Sequence, residues 1–133
     1  MRVRSALTII TFAAATALAG QALAQDALPE GDAAAGEKVF NKCKACHTVE
    51  EGKNRVGPSL YNLIGRQPAS VDGFNYSKGM QAFAADHVWD AETLSAYLEA
   101  PKDMVQGTKM AFVGLKKLED RADVIAYLKQ FTQ

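Results

Sequence analysis

The feature that most constrains this sequence is the pentapeptide at residues 43–47, where two cysteines two residues apart are followed directly by a histidine. Cys43 and Cys46 have the spacing to form thioether bonds with one haem, and His47 could then reach its iron. A Cys43–Cys46 disulfide, a thioredoxin-like site and a zinc site are the alternatives. No clear strand alternation supports a thioredoxin-like site, and His87 alone remains as a further zinc ligand. We therefore favour covalent haem attachment, with the disulfide as the main alternative.

The N-terminus has the three parts of a secretory signal peptide. Arg2 and Arg4 give a positive start, residues 6–19 are apolar, and residues 22–24 form a small-residue cleavage site. A retained N-terminal anchor is the alternative, but the apolar run is short for a membrane span. The expected organisation is a cleaved signal peptide at 1–24, a flexible lead-in at 25–31 and one domain at 32–133.

The expected mature domain is small and almost neutral. Removing 24 of the 133 residues leaves 109, with 13 basic and 15 acidic side chains and a formal charge of −2. This balance gives no reason to expect nucleic-acid binding. Domains of this size often need a staple beyond their own core, and a covalent haem would give short helices a large apolar surface to pack on.

Hydrophobic spacing predicts an all-α domain with long irregular connections. Asp32, Ser77 and Asp90 are suitable N-cap residues. Residues 102–115 contain no helical stripe and are bracketed by glycines, so we expect a loop there. The expected helices are 33–43, 59–65, 77–85, 91–100 and 118–131.

A haem iron usually takes a second axial ligand. The candidates are the other histidine and three methionines: His87, Met80, Met104 and Met110. Met110 is favoured because it lies in the glycine-bracketed loop, where Thr108 could form a hydrogen bond and Phe112 could shield the site. Ligation by His87 and an open position remain as alternatives. Iron with both axial positions filled can change charge but binds oxygen poorly, which suits an electron carrier.

Beyond the pentapeptide, five segments resemble class I c-type cytochromes, which include soluble mitochondrial cytochrome c and bacterial periplasmic relatives. The segments are VGPSLYNLIGR, FNYS, TLSAYLEAPK, GTKMAFVGL and EDRADVIAYLK, within a resemblance from about Gly31 to Phe131. It implies an all-α class I cytochrome c fold, in which N- and C-terminal helices cross and short helices and loops wrap one covalent haem c. Gly36, Phe40 and Tyr127 match the helix crossing.

The resemblance also implies the site residues. Cys43 and Cys46 match the thioether positions, and His47 and Met110 match the axial ligands of the iron. Pro58 matches the proline whose carbonyl accepts the histidine N–H. The other haem-pocket matches are Arg66, Tyr76 and Trp89 near the propionates, and Tyr97 and Thr108 on the distal side. The chain departs from the mitochondrial pattern between Tyr76 and Trp89, where its segment is longer and a distal asparagine has no clear counterpart.

By this resemblance the chain is expected to be a periplasmic mono-haem electron carrier, a monomer and not an enzyme. Expected partners are a quinol–cytochrome c reductase as donor and a terminal oxidase, photosynthetic reaction centre or periplasmic dehydrogenase. Six basic residues could form a patch at the haem edge that steers the carrier to acidic sites: Lys42, Arg55, Lys102, Lys109, Lys116 and Lys117. A haem enzyme or gas sensor with open iron and a haem-free thiol–disulfide protein are the alternative functions.

Overall fold

The computed structural model describes residues 27–133, so the signal peptide predicted at 1–24 lies outside the described residues. Within this range the backbone forms five α-helices and no β-strand, which confirms the all-α prediction. The helices are α1 (Ala33–Phe40), α2 (Lys78–Phe83), α3 (Ala91–Glu99), α4 (Pro101–Met104) and α5 (Leu118–Lys129). Across the same range, no helix has the length and apolar character needed to cross a membrane.

Three helices begin at the capping residues that the sequence predicted. The side-chain oxygens of Asp32, Ser77 and Asp90 each accept the backbone N–H three residues later, at 2.6, 3.1 and 2.7 Å. These bonds satisfy amides that have no partner inside the helix. The polar residues before α1, α2 and α3 therefore fix where each helix starts.

Two short segments differ from the prediction. Residues 59–65 form turns and not a helix, because Asn62 has a positive φ of 53° and its N–H donates to the Phe131 carbonyl at 2.9 Å. Pro101 ends the preceding helix but also begins α4, where its missing N–H costs nothing. The irregular connection before α5 consequently runs from 105 to 117 and is shorter than predicted.

The first and last helices pack together at a glycine. A Cβ on Gly36 would collide with the backbone carbonyl of Asp123 and lie 2.8 Å from the Cβ of Tyr127. The two backbones therefore approach to a distance that glycine alone permits. Beside this contact the rings of Phe40 and Tyr127 pack with their centroids 5.2 Å apart. The contact predicted from these residues is thus present.

Behind the helix pair lies the buried core, which joins α3 and α5 to the connection between α4 and α5. Its most buried apolar side chains include Leu94, Val105, Leu115, Val124, Ile125 and Leu128. Arg121, on the first half of α5, is buried among them with only 8% of its side chain exposed. The burial of this arginine was not predicted, because its spacing in α5 resembles that of a surface charge.

Candidate functional site

An apolar cavity of about 300 Å³ lies between α3, α5 and the irregular connections. Its size is at the lower end of the range for cofactor and small-molecule sites. Aliphatic and aromatic side chains of the core form most of its wall, including Phe40, Leu63, Leu94, Leu98 and Leu128. All ten residues predicted to hold or surround a haem line this cavity: Cys43, Cys46, His47, Pro58, Arg66, Tyr76, Trp89, Tyr97, Thr108 and Met110.

The two cysteines lie in the turns that follow α1. The amides of Cys46 and His47 both donate to the Cys43 carbonyl at 3.0 Å, so the backbone folds back and brings the three side chains to one place. Both cysteines are free thiols and not a disulfide, Cys43 half-buried and Cys46 exposed. Burial raises the pKa of the Cys43 thiol. Because no disulfide joins the two cysteines, both sulfurs are available for attachment.

The imidazole of His47 is held on one edge and on one face. Its Nδ1 lies 2.8 Å from the Pro58 carbonyl oxygen, which can only accept, so Nδ1 carries the proton and Nε2 keeps a free lone pair. Burial lowers the pKa of His47 and so favours this neutral form. A Cβ on Gly57 would lie 2.7 Å from Nδ1 and 2.8 Å from Nε2, so only a glycine can lie against the ring. This role of Gly57 was not predicted from the sequence, because it depends on where the His47 ring lies in the fold.

Met110 lies in the connection before α5, where two hydroxyl groups hold it. The Tyr97 hydroxyl donates to the Met110 Sδ at 3.3 Å, and the Met110 N–H donates to the Thr108 Oγ1 at 3.2 Å. Tyr97 is buried on α3, and this burial raises the pKa of its hydroxyl, which therefore stays a donor. The structure thus brings together the three residues predicted on the distal side.

The other candidates for a second axial ligand are placed differently. His87 lies outside the cavity lining, where its Nδ1 is 2.9 Å from the Phe83 carbonyl and its ring stacks on Phe83 at 3.8 Å. Met104 packs against the core but does not line the cavity. Met80, buried on α2, does line it. Two thioethers, Met80 and Met110, therefore border the same cavity.

Arg66, Tyr76 and Trp89 form the polar edge of the cavity. The Arg66 guanidinium donates to the carbonyls of Tyr61 and Ser59 at 2.7 and 3.0 Å, and partial burial lowers its pKa. Among residues 27–133 it has no carboxylate partner. Trp89 is buried, and its backbone N–H donates to the Arg66 carbonyl at 2.9 Å, so the two residues are held side by side. A guanidinium without an acid beside it can receive the carboxylates of a haem at this edge.

The six basic residues of the predicted patch are all exposed. Two of them, Lys42 and Lys109, line the cavity. Lys42 lies 3.7 Å from an Asp120 carboxylate oxygen, and the Lys109 Nζ donates to the Asn75 carbonyl at 2.9 Å. The cavity mouth thus has two cations at its rim.

The family model for cytochrome c matches residues 33–132. Over 132 residues the chain is 47% identical to cytochrome c-554 of Methylosinus trichosporium, which covers 98% of this chain and 95% of that one. It is 49% identical over 106 residues to cytochrome c of Ginkgo biloba, covering 78% of this chain and 92% of that one. The solved structure of cytochrome cH from Methylobacterium extorquens aligns with a TM-score of 0.70 and 44% identity, covering 75% of this chain and 99% of that one.

These matches confirm the resemblance seen in the sequence and the class I cytochrome c fold. The donor set fits the cofactor of that family, since free thiols, a neutral imidazole and a guanidinium surround one apolar cavity. Cys43 and Cys46 fit the attachment motif, and the cofactor is one covalently bound haem c. The chain belongs to the cytochrome c family of electron carriers.

Proposed function

We propose that this chain is a one-electron carrier of the periplasm, with Cys43 and Cys46 bonded to the haem and His47 and Met110 as axial ligands. When bound, the haem supplies an iron that changes its oxidation state by one electron. The observation that carries the proposal is the presence of two positioned donors in one apolar cavity. These are His47, whose Nδ1 bond to Pro58 leaves Nε2 free, and Met110, whose sulfur accepts from Tyr97.

Met110 is a better ligand candidate than Met80 because of what surrounds each sulfur. Met80 is 9% exposed and packs within the hydrophobic core on α2, as a space-filling methionine does. The Met110 sulfur has the Tyr97 hydroxyl as a specific partner at 3.3 Å, and its segment has no helix to hold it otherwise. A thioether is a soft ligand, and ligation by His and Met raises the potential of a haem.

The surroundings of these donors suit electron transfer better than catalysis. His47 is fixed by Pro58 and Gly57, and Met110 by Tyr97 and Thr108, so neither donor has to move when the charge changes. If His47 and Met110 both held the iron, no coordination position would remain for oxygen or peroxide. We therefore propose a carrier and not an enzyme.

The N-terminal sequence supports the proposed location, and the family resemblance supports the proposed partners. The signal peptide at 1–24 would direct export of the chain and then be cleaved. The mature protein would consist of the lead-in at 25–31 and the domain at 32–133, and it would work in the periplasm as a monomer. A quinol–cytochrome c reductase would donate the electron. A terminal oxidase, photosynthetic reaction centre or periplasmic dehydrogenase would be the other partner. Lys42 and Lys109 at the cavity rim would begin the contact with acidic docking sites.

Replacing Met110 with alanine tests the axial ligand. The weak sulfur-to-iron band at the red end of the oxidised spectrum should disappear completely, because its sulfur is gone. The reduced variant should bind carbon monoxide readily at neutral pH, whereas the reduced wild type should not. Met80→Leu is the matched control, since it removes the other thioether of the cavity at nearly constant volume and should keep the band.

Three outcomes would contradict the proposal. Carbon monoxide binding by the reduced wild type would favour a haem enzyme or gas sensor. Loss of the band in Met80→Leu and its retention in Met110→Ala would identify Met80, and not Met110, as the axial ligand. Polypeptide without covalent haem in a pyridine haemochrome assay after denaturation would favour a thiol–disulfide protein.

Salt should slow electron transfer to an acidic partner if the basic residues steer the encounter. We expect the second-order rate to fall about tenfold between low and high ionic strength, the smaller end of electrostatic enhancements. The double variant Lys42→Gln, Lys109→Gln should show a lower rate at low salt and a flatter dependence. Lys53→Gln is the control, because Lys53 is exposed but pairs with Glu50 at 2.9 Å and lies outside the predicted patch. A wild-type rate independent of salt would remove the docking proposal.

A further inference from the structure

Arg121 is a buried cation that lies outside the haem cavity. Its Nε donates to the Ser95 hydroxyl at 3.1 Å, and one terminal nitrogen donates to the carbonyls of Leu115 and Lys116 at 2.8 and 3.1 Å. Its other terminal nitrogen lies 3.6 Å from a carboxylate oxygen of Glu99, whose side chain is half exposed. Burying a guanidinium is costly unless its donors have partners, and here each of its three nitrogens has one.

These partners belong to α3 and to the irregular connection at 105–117 that carries Met110, here called the Met110 segment. Leu115 and Lys116 lie near the C-terminal end of this segment. Ser95 lies on α3, two residues before Tyr97, whose hydroxyl donates to the Met110 sulfur. Arg121 thus ties the end of the segment to the helix that holds its methionine.

A second contact links the Met110 segment to α3. The Leu115 N–H donates to the Leu98 carbonyl of α3 at 2.7 Å, next to the carbonyl bonds of Arg121. The planar guanidinium of Arg121 suits this arrangement, because its nitrogens reach one hydroxyl and two carbonyls at once. A lysine would keep the charge but could present only one nitrogen.

We propose that Arg121 is a positioning residue for axial ligation, which acts through Leu115, Lys116 and Ser95 to hold the Met110 segment closed. The proposal rests on the proposed function, specifically on Met110 as the distal ligand. Without Arg121 the segment would open more often, and an external ligand would compete with Met110 more easily.

Imidazole binding to the oxidised holoprotein tests this role. Arg121→Lys should bind imidazole about tenfold more tightly than the wild type, the change expected from one lost charge-assisted hydrogen bond. Glu99→Gln removes only the 3.6 Å contact with a half-exposed carboxylate and leaves the bonds to Ser95, Leu115 and Lys116 in place, so it should leave the affinity unchanged. Ile125→Val, a core change on the same helix, should lower stability towards urea without tighter imidazole binding.

A second variant and a second measurement separate positioning from folding. Ser95→Ala removes one acceptor of the guanidinium and should shift imidazole affinity in the same direction by a smaller factor. Hydrogen exchange at the Leu115 amide should be faster in Arg121→Lys and Ser95→Ala than in Ile125→Val. This exchange rate reports directly how often the Leu115–Leu98 contact opens. If Arg121→Lys yields no holoprotein, Ser95→Ala decides the question.

Unchanged imidazole affinity in the Arg121 and Ser95 variants, with the sulfur-to-iron band intact, would overturn the positioning role while the proposed function stands. A wild type that lacks the band, or that binds imidazole as tightly as Met110→Ala, would instead overturn the proposed function itself.

Discussion

The His47→Ala variant should yield no normal low-spin holoprotein in a cell with working haem-attachment machinery. The substitution removes the Nε2 lone pair and leaves the partly buried Pro58 carbonyl without its donor. Haem-stained yield and the absorption spectrum of the exported protein measure the outcome. This is the largest effect we expect, because both the attachment motif and the axial ligand set lose the same side chain.

His87→Ala provides the matched control for that experiment. His87 lies outside the cavity lining and stacks on Phe83 at the end of α2, so its loss should leave both yield and spectrum close to wild type. Abundant, folded, low-spin holoprotein from His47→Ala would contradict the assignment of the proximal ligand. A failure of His87→Ala equal to that of His47→Ala would show that the assay reports folding alone.

Replacing Gly36 with valine should lower the free energy of unfolding of the holoprotein by roughly 3 kcal/mol or more, near the upper end of overpacking costs. Its new Cβ would collide with the Asp123 carbonyl and press on the Tyr127 Cβ, so α1 and α5 would have to separate. Urea unfolding followed by helical circular dichroism measures the change.

Ala34→Val controls for the intrinsic cost of valine in a helix. Ala34 lies on the exposed face of α1, where the same residue should cost roughly 0.5 kcal/mol. Equal losses in the two variants would mean that propensity, and not the close approach of the two helices, sets the effect of Gly36.

Local chemistry allowed much of this fold to be predicted. Asp32, Ser77 and Asp90 cap their helices because a short side-chain oxygen needs only the next turn of its own chain. The ten haem-pocket residues follow from a motif and a resemblance whose residues lie together in one cavity. Contacts that are local, or that reproduce a known family pattern, are the ones a sequence can reveal.

The errors and omissions come from contacts between distant parts of the chain. The turn at Asn62 exists because its N–H and side chain bond to the C-terminal residues Phe131 and Gln133, 69 and 71 residues later. Arg121 looks like a surface charge until α3 and the end of the Met110 segment surround it. Four candidates for the second ligand became two only when the positions of Met104 and His87 were known.

The contacts of His47 with Gly57 and Pro58 also matter for any attempt to build this haem-attachment site into another protein. Gly57 provides the clearance that the ring needs on its face, and Pro58 provides the acceptor on its edge. If the Cys-x-x-Cys-His pentapeptide were grafted alone onto another helical scaffold, the imidazole could rotate and could adopt either tautomer. A design that copies this site would therefore have to include the equivalent of the Gly57-Pro58 dipeptide together with the pentapeptide.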